Sequence, residues 1–301
     1  MAKRQPPKTN GVVIVDKPAG VTSHDVVARL RRIYGERRVG HGGTLDPAAT
    51  GVLVIGVGWA TRLLNYFQHD TKRYTGVVSF GTATDTLDAD GAVVATSMGV
   101  DYDRDAVSGA LAQFRGQIEQ VPPMVSAIRV GGERLYEKAR RGEVVEREAR
   151  AVTIESLELL DFDAGPPATA TLDVICSAGT YIRVLAADIG QALGGYAHLA
   201  SLRRTEASGF TLNGAHRLEQ VECDPAASLL TPVEAVGQMG RIEVSENHAQ
   251  KLRMGQRLAL AEYPGLGGGP IAALVKGEFV GIVEVVNDAV RPVLVWPTAV
   301  S

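Results

Sequence analysis

Asp46 is the side chain of this sequence best suited to chemistry, because of the segment around it. Residues 40–51 read GHGGTLDPAATG and continue directly into the apolar stretch VLVIGVG at 52–58. A carboxylate next to apolar surface is costly unless it is paired. Pro47 fixes its own backbone and biases Asp46 toward an extended conformation, and the glycines let a ligand approach the backbone closely. The segment therefore predicts a rigidly held carboxylate catalyst.

Other motifs indicate neither a cofactor nor a metal. Residues 56–61, GVGWAT, resemble a dinucleotide fingerprint, but Trp59 would crowd a pyrophosphate and Thr61 replaces the last glycine or alanine. This alternative predicts a dinucleotide retained on purification, and we expect none. Gly35 and Gly40 have the spacing of a P-loop, but His41 stands where that motif needs lysine. The six histidines lack ligand spacing, so we expect no metal site.

Composition indicates a folded protein with one basic region. Of 301 residues, 45% are hydrophobic and 22% charged, with a net charge of −3, which argues against disorder and against indiscriminate nucleic-acid binding. Residues 1–75 contain 12 Lys and Arg against 5 Asp and Glu, a surplus that fits a polyanion partner or a solvated charged face. Two cysteines without metal or disulfide spacing, and no signal-peptide or membrane-spanning pattern, predict a cytoplasmic protein.

The apolar pattern predicts an α/β (α+β) chain with a mixed, largely antiparallel sheet and flanking helices. The first strand is expected at 11–15, and Ser23 is expected to cap a helix that ends at Gly35. Further strands are predicted at 52–57, 73–80, 125–130, 151–160 and 169–176, with helices near 103–115 and 181–193. We divide the chain into a flexible basic N-terminus (1–9), a catalytic domain (10–235) and a small β-rich module (241–301).

The segment around Asp46 resembles the signature of the TruB family of tRNA pseudouridine synthases. Val125 stands where many members carry Tyr, a difference that we expect to change packing or a minor RNA contact rather than the reaction. The resemblance covers roughly residues 10–210, and the tail is only loosely similar to the family's PUA-like RNA-binding module. Five further blocks match in order and spacing, at residues 11–20, 72–74, 121–127, 176–183 and 198–205.

The resemblance implies the pseudouridine synthase fold and the isomerisation of uridine to pseudouridine at position 55 in the T-loop of tRNA. Breaking the C1′–N1 bond and joining C5 to C1′ requires no redox change or group donor, so no cofactor is implied. Asp46 would act as nucleophile on a flipped-out nucleotide, and attack on the base or on the sugar both stay open. The implied partner is the T-arm of tRNA, with no membrane and no guide RNA, and a monomer would suffice.

The resemblance also assigns roles to residues far from Asp46 in the sequence. Arg183 is similar to the arginine that pairs with the nucleophile, where a bidentate contact would keep the pKa of Asp46 low. Tyr74 is similar to the tyrosine that stacks on the target base, with its phenol placed to assist proton removal from C5. The other substrate contacts implied are His41, Tyr181, Leu202, Lys17 and Arg203.

Several of these residues have a structural alternative. Tyr74 could be an ordinary strand aromatic, and Tyr181 and Leu202 could be simple core residues. Lys17 could support the catalytic loop instead of binding phosphate. Of Arg203 and its neighbour Arg204, one could contact a phosphate and the other could form an internal ion pair, and the sequence leaves open which is which.

Two other functions are compatible with the same residues. An RNA-folding chaperone would use the same cleft but would not need Asp46 for its activity. A guide-RNA-dependent synthase would be expected to carry long basic tails for assembly, which this chain lacks. The charged segment 126–150 fits either an exposed helix and loop that closes over RNA or a merely solvated helix.

Overall fold

The computed structural model describes residues 6–67, 71–124, 129–130, 133–134, 141, 143 and 145–298. Residues 1–5 of the expected flexible N-terminus lie outside this range. The same holds for Val125, for part of the strand predicted at 125–130 and for much of the segment 126–150. The expectations made for these residues stay predictions.

The described residues form seven α-helices and eighteen strands. The helices are α1 (Ser23–Ile33), α2 (Leu64–Phe67), α3 (Arg104–Leu111), α4 (Ile182–Ala192), α5 (Leu218–Cys223), α6 (Pro232–Ala235) and α7 (Glu246–Arg253). Short 3₁₀ turns span Gly58–Arg62, Ala112–Phe114, Leu212–Gly214 and Leu260–Glu262. Among these described helices, none is long and apolar enough to cross a lipid bilayer.

The strands account for most of the predicted pattern. The first nine are β1 (Gly11–Lys17), β2 (Val39–His41), β3 (Thr50–Val57), β4 (Lys72–Phe80), β5 (Thr82–Thr84), β6 (Val93–Thr96), β7 (Gly116–Gln120), β8 (Arg129–Val130) and β9 (Glu133–Arg134). The others are β10 (Arg150–Asp163), β11 (Thr169–Cys176), β12 (Ala197–Ala207), β13 (Phe210–Thr211), β14 (Gly240–Glu243), β15 (Leu258–Ala259), β16 (Ile271–Val275), β17 (Glu278–Val286) and β18 (Ala289–Val295).

A nine-stranded sheet forms the centre of the protein. Its order is β1-β3-β12-β4-β11-β10-β7, with β2 beside β3 and β13 beside β12. Neighbouring strands run antiparallel except β3 and β12, which pair in parallel. The predicted mixed, largely antiparallel sheet is therefore confirmed. Because β12 lies between β3 and β4, the loop before β3 is brought close to side chains on both β12 and β4.

Helix α1 begins one residue earlier than the sequence predicted. The cap is Thr22, whose hydroxyl accepts a hydrogen bond from the Asp25 N–H at 3.1 Å, while the Asp25 carboxylate accepts one from the Thr22 N–H at 2.9 Å. This reciprocal capping box satisfies two N–H groups at the helix start. Ser23 is instead buried in the first turn, so its predicted role as the cap is wrong.

The central sheet packs on both faces. Apolar residues of α1, α3 and α4 cover one face, as predicted from their spacing. On the other face, β1 and β3 pack against residues of the 60–67 region and against the second sheet. Gly56 lies at this junction, where an added Cβ would come within 2.8 Å of the Thr61 backbone. Close packing thus accounts for one glycine of the fingerprint-like GVG run.

The C-terminal residues form the β-rich unit that the sequence predicted. Five strands pair in the order β14-β16-β17-β18-β15, and they enclose an apolar core of their own. Helix α7 packs on this sheet and completes that core through Ala249 and Leu252. The sequence analysis did not predict this helix, whose mean hydropathy is low and whose buried residues are few.

Candidate active site

A cavity of about 480 Å³ opens where β2, β4, β12 and the start of α4 meet. Asp46 projects from the loop between β2 and β3, and Arg183 comes from the first turn of α4. Six of the eight residues proposed from the sequence line this cavity, namely Asp46, Tyr74, Arg183, His41, Tyr181 and Leu202. Lys17 and Arg203 do not line it. Residues from four separate stretches of the chain thus converge on one concave site.

Arg183 links two carboxylates in this cavity. Its Nη2 lies 3.0 Å from Oδ2 of Asp46, and its Nη1 lies 3.3 Å from Oδ2 of Asp88. The Arg183 side chain is only 5% exposed, whereas that of Asp46 is 44% exposed and reachable from the cavity. The guanidinium therefore bridges the two acids, with one nitrogen facing each of them.

The pKa of Asp46 is raised, which corrects the expectation that Arg183 keeps it low. Burial is the largest cause, because it disfavours the charged carboxylate, and the negative charge of Asp88 adds to it. Arg183 and Lys17 act in the opposite direction but do not outweigh these effects. An apolar setting with a shared cation therefore gives a carboxylate that is less hydrated than a surface Asp.

Lys17 supports the loop between β2 and β3 (residues 42–49, the catalytic loop) from the buried side and not from the cavity. Its side chain is 0% exposed, and its Nζ donates hydrogen bonds to the carbonyls of Pro18, Val21 and Pro47 at 2.9, 2.7 and 3.1 Å. Burial lowers its pKa to about 8. A phosphate cannot reach this ammonium, so the predicted substrate contact is wrong and the alternative of loop support applies.

Ser23 holds the same loop from the side of α1. Its hydroxyl donates to the Leu45 carbonyl at 3.0 Å and accepts from the Leu45 N–H at 2.9 Å. The residue on either side of Asp46 is therefore fixed by a buried side chain, Leu45 by Ser23 and Pro47 by Lys17. This explains how an Asp in a glycine-rich loop keeps a defined position.

Arg203 and Arg204 point to opposite sides of β12. Arg204 is buried, and it donates to the backbone carbonyls of Val52 and Gly43 at 2.7 and 3.1 Å. Its side chain also forms a hydrogen bond with Tyr74. Arg203 is 41% exposed and pairs with Asp16 at 2.8 Å. The internal ion pair thus belongs to Arg203, which lies outside the cavity, and Arg204 fixes the catalytic loop.

Tyr74 and Tyr181 form part of the cavity wall. Tyr74 is buried, and this burial raises the pKa of its phenol. Tyr181 immediately precedes α4, and its backbone is held by the buried side chain of Gln120. The Gln120 Oε1 accepts from the Tyr181 N–H at 2.9 Å, and its Nε2 donates to the Tyr181 carbonyl at 3.3 Å.

Three residues of functional interest were not assigned roles from the sequence, and a fourth, Arg204, was left between a phosphate contact and an ion pair. Asp88 shares Arg183, Arg204 holds the loop, Gln120 positions Tyr181, and Lys72 lines the cavity. Lys72 carried a signal, since it lies two positions before Tyr74 and therefore on the same face of β4. No local pattern distinguishes Asp88 among the acidic residues of its segment.

The arrangement suits attack on a planar, flipped-out ring by a carboxylate. The cavity offers an aromatic wall, an apolar side chain from Leu202, and an anionic oxygen held by a cation. Water is partly excluded by burial, which strengthens electrostatic contacts inside the site.

Known proteins resemble this chain over nearly its whole length. The family model for the TruB family pseudouridylate synthase N-terminal domain matches residues 31–182, and that for the tRNA pseudouridylate synthase B C-terminal domain matches residues 183–236. A protein named tRNA pseudouridine synthase B from Symbiobacterium thermophilum is 49% identical over 248 residues, covering 82% of this chain and 83% of that protein. One of the same name from Leifsonia xyli is 42% identical over 294 residues, covering 96% and 97%.

Solved structures share the fold at lower sequence identity. A chain of an H/ACA RNP bound to a substrate RNA containing 2′-deoxyuridine has a TM-score of 0.74 at 22% identity, covering 96% of this chain and 85% of its own. A chain of a Cbf5–Nop10–Gar1 complex has a TM-score of 0.72 at 24% identity, covering 96% and 84%. The fold expected from the resemblance is thereby confirmed. Two family models match adjacent stretches of the chain, and similar relatives cover most of its length. The chain therefore belongs to the TruB family of pseudouridine synthases.

Proposed function

We propose that this protein isomerises uridine to pseudouridine at position 55 in the T-loop of tRNA, by itself and without a cofactor. The single observation that carries the proposal is Asp46, accessible from the cavity and bridged by Arg183 at 3.0 Å. The relatives named tRNA pseudouridine synthase B support tRNA as the substrate class.

The reaction exchanges one bond of the nucleotide for another. The target uridine leaves its stack and enters the cavity, as enzymes acting on a base require. The C1′–N1 bond breaks, the uracil turns, and a C1′–C5 bond forms. The proton lost from C5 is balanced by the one gained at N1. Asp46 supplies the nucleophile, and attack on the base or on the sugar both satisfy this balance.

The other cavity residues are proposed to hold the flipped base. Tyr74 supplies a planar face for stacking, and Leu202 an apolar contact. Because burial raises the pKa of Tyr74, its phenol is protonated at neutral pH. We therefore assign Tyr74 to stacking on the base rather than to proton removal from C5. His41 and Tyr181 also line the cavity, and residues 241–301 are proposed to extend the RNA surface.

Product analysis on an unmodified tRNA transcript tests the proposal. Purified protein is incubated with the transcript, with no guide RNA and no cofactor, beside Asp46→Asn and beside a transcript carrying cytidine at position 55. We expect pseudouridine only with the unsubstituted protein and the uridine transcript. Absence of product with tight tRNA binding would contradict the proposal and favour a chaperone.

The Asp46→Asn variant carries its own folding control. Burial raises the pKa of Asp46, so the charged form is disfavoured in the folded state above the ordinary Asp pKa. A neutral amide removes that penalty. We therefore expect Asp46→Asn to unfold at a temperature no lower than that of the unsubstituted protein, while its product formation is lost.

A further inference from the structure

The turn that carries Asp88 is held rigidly against β12. It connects β5 and β6, and the backbone on both sides of Asp88 pairs with Leu199. The Leu199 N–H donates to the Leu87 carbonyl at 3.0 Å, and the Ala89 N–H donates to the Leu199 carbonyl at 3.0 Å. The Thr84 hydroxyl donates to the Asp88 carbonyl at 2.7 Å. These contacts fix the backbone of Asp88, and other groups hold its carboxylate.

Thr86 contacts both members of the Arg183–Asp88 pair. Its Oγ1 donates a hydrogen bond of 2.5 Å to Oδ1 of Asp88. Its carbonyl accepts one of 3.1 Å from Nη1 of Arg183, the same nitrogen that lies 3.3 Å from Oδ2 of Asp88. The two Asp88 oxygens therefore have different partners. Oδ1 accepts from the Thr86 hydroxyl and, at 3.2 Å, from the Asp90 N–H, whereas Oδ2 faces Arg183.

We propose that Thr86 is a positioning residue for the isomerisation, acting through Asp88 and Arg183 on the nucleophile. This inference rests on the proposed function. Without the Thr86 hydroxyl, Oδ1 of Asp88 loses its shorter hydrogen bond and keeps the longer one from the Asp90 N–H at 3.2 Å. The carboxylate then turns so that both oxygens face the Arg183 guanidinium, since bidentate contacts are the stronger ones. That movement draws Nη2 away from Asp46 and leaves the nucleophile misdirected.

The test compares three variants in a single-turnover assay on tRNA. Thr86→Val keeps the shape and the backbone carbonyl but removes the hydroxyl. Thr86→Ser keeps the hydroxyl. Thr82→Val is the matched control, because it removes a hydroxyl of the same β5–β6 hairpin that contacts the His198 ring and not Asp88.

We expect Thr86→Val to lower the rate constant about 10- to 100-fold, the effect of losing a hydrogen bond to a charged group. The KM and the Kd for tRNA should change less than about twofold, because Thr86 does not line the cavity. Thr86→Ser should restore most of the rate. Thr82→Val should leave the rate near that of the unsubstituted protein, because its hydroxyl contacts His198 and not Asp88.

A double-mutant cycle keeps the inference testable if Thr86→Val is poorly folded. In the Asp88→Asn background, where the carboxylate is gone, Thr86→Val should add little further loss. Full additivity, or equal rate losses for Thr86→Val and Thr82→Val, would overturn the positioning role. Failure of the unsubstituted protein to form any pseudouridine would instead refute the proposed function.

Discussion

The Nζ of Lys17 lies 3.1 Å from the carbonyl oxygen of Pro47, the residue that directly follows Asp46. This hydrogen bond connects the end of β1 to the catalytic loop, and two further carbonyls share the same ammonium. The loop is thus anchored by a buried cation whose neighbours are peptide dipoles. A buried charged group in such a position holds the loop in place, but its burial costs the free energy of hydration of the ammonium.

Replacing Lys17 by Met should loosen the loop. Three backbone carbonyls lose their donor, and each buried acceptor left unsatisfied costs about 1–3 kcal/mol. We expect a lower free energy of unfolding and a lower kcat at neutral pH, measured by urea titration and by pseudouridine formation. Activity equal to that of the unsubstituted protein would show that Lys17 does not position Asp46.

The same variant isolates a pH effect. The pKa of Lys17 is about 8 in the folded protein and 10.5 in the unfolded chain. Between these values the unfolded chain binds more protons, so the stability of the unsubstituted protein should rise with pH relative to Lys17→Met. Urea unfolding of both proteins at pH 7.5 and pH 10 measures this difference. A stability difference that is constant with pH would contradict the prediction.

Asp88→Asn should move the acid limb of the activity profile to lower pH. Asp88 contributes to the raised pKa of Asp46, and the neutral amide removes that contribution. Since the nucleophile must be ionised, kcat/KM should then persist to more acidic pH. Asp101→Asn, an equal charge change at an exposed position, serves as control. An acid limb that stays in place or moves upward would refute the coupling.

Arg204→Lys should lower the free energy of unfolding far more than the same change at the preceding residue, Arg203. Arg204 serves the Val52, Gly43 and Thr44 carbonyls from three nitrogens, and one ammonium cannot reach them all. We expect a loss of about 2–4 kcal/mol in urea unfolding, with reduced kcat. Arg203→Lys should cost under about 1 kcal/mol, because its pair with Asp16 is partly exposed. Equal losses would argue against loop support by Arg204.

Gly51→Ala should disrupt the parallel pairing of β3 with β12. Gly51 has φ +101°, and an added Cβ would overlap the Arg204 carbonyl. Gly99→Ala is the matched control, with φ +69° but no atom within 4 Å of the added carbon. Strain alone should cost about 1–2 kcal/mol, so the excess loss at Gly51 in thermal unfolding measures the overlap. Similar losses in both variants would show that the close approach relaxes.

The sequence predicted most elements of the fold because their apolar patterns are local. Residues 11–15 are a continuous apolar run, and residues 181–193 repeat with the period of a helix. The structure has both elements, and the strand predicted at 169–176, within a few residues. The cap of α1 was misplaced by one position, because Thr22 and Ser23 are both good caps and only the partner of each hydroxyl separates them.

The amino-acid sequence by itself determined the family, the sheet class and the identity of Asp46 as the candidate nucleophile. Only the tertiary structure decided which charges meet. Asp88 joins Arg183 because β5 and β6 fold back onto β12, and Lys17 becomes a buried anchor because β1 runs under the catalytic loop. The direction of the Asp46 pKa shift follows from the same assembly. Burial and ion pairing depend on sheet order and register, and no local pattern encodes them.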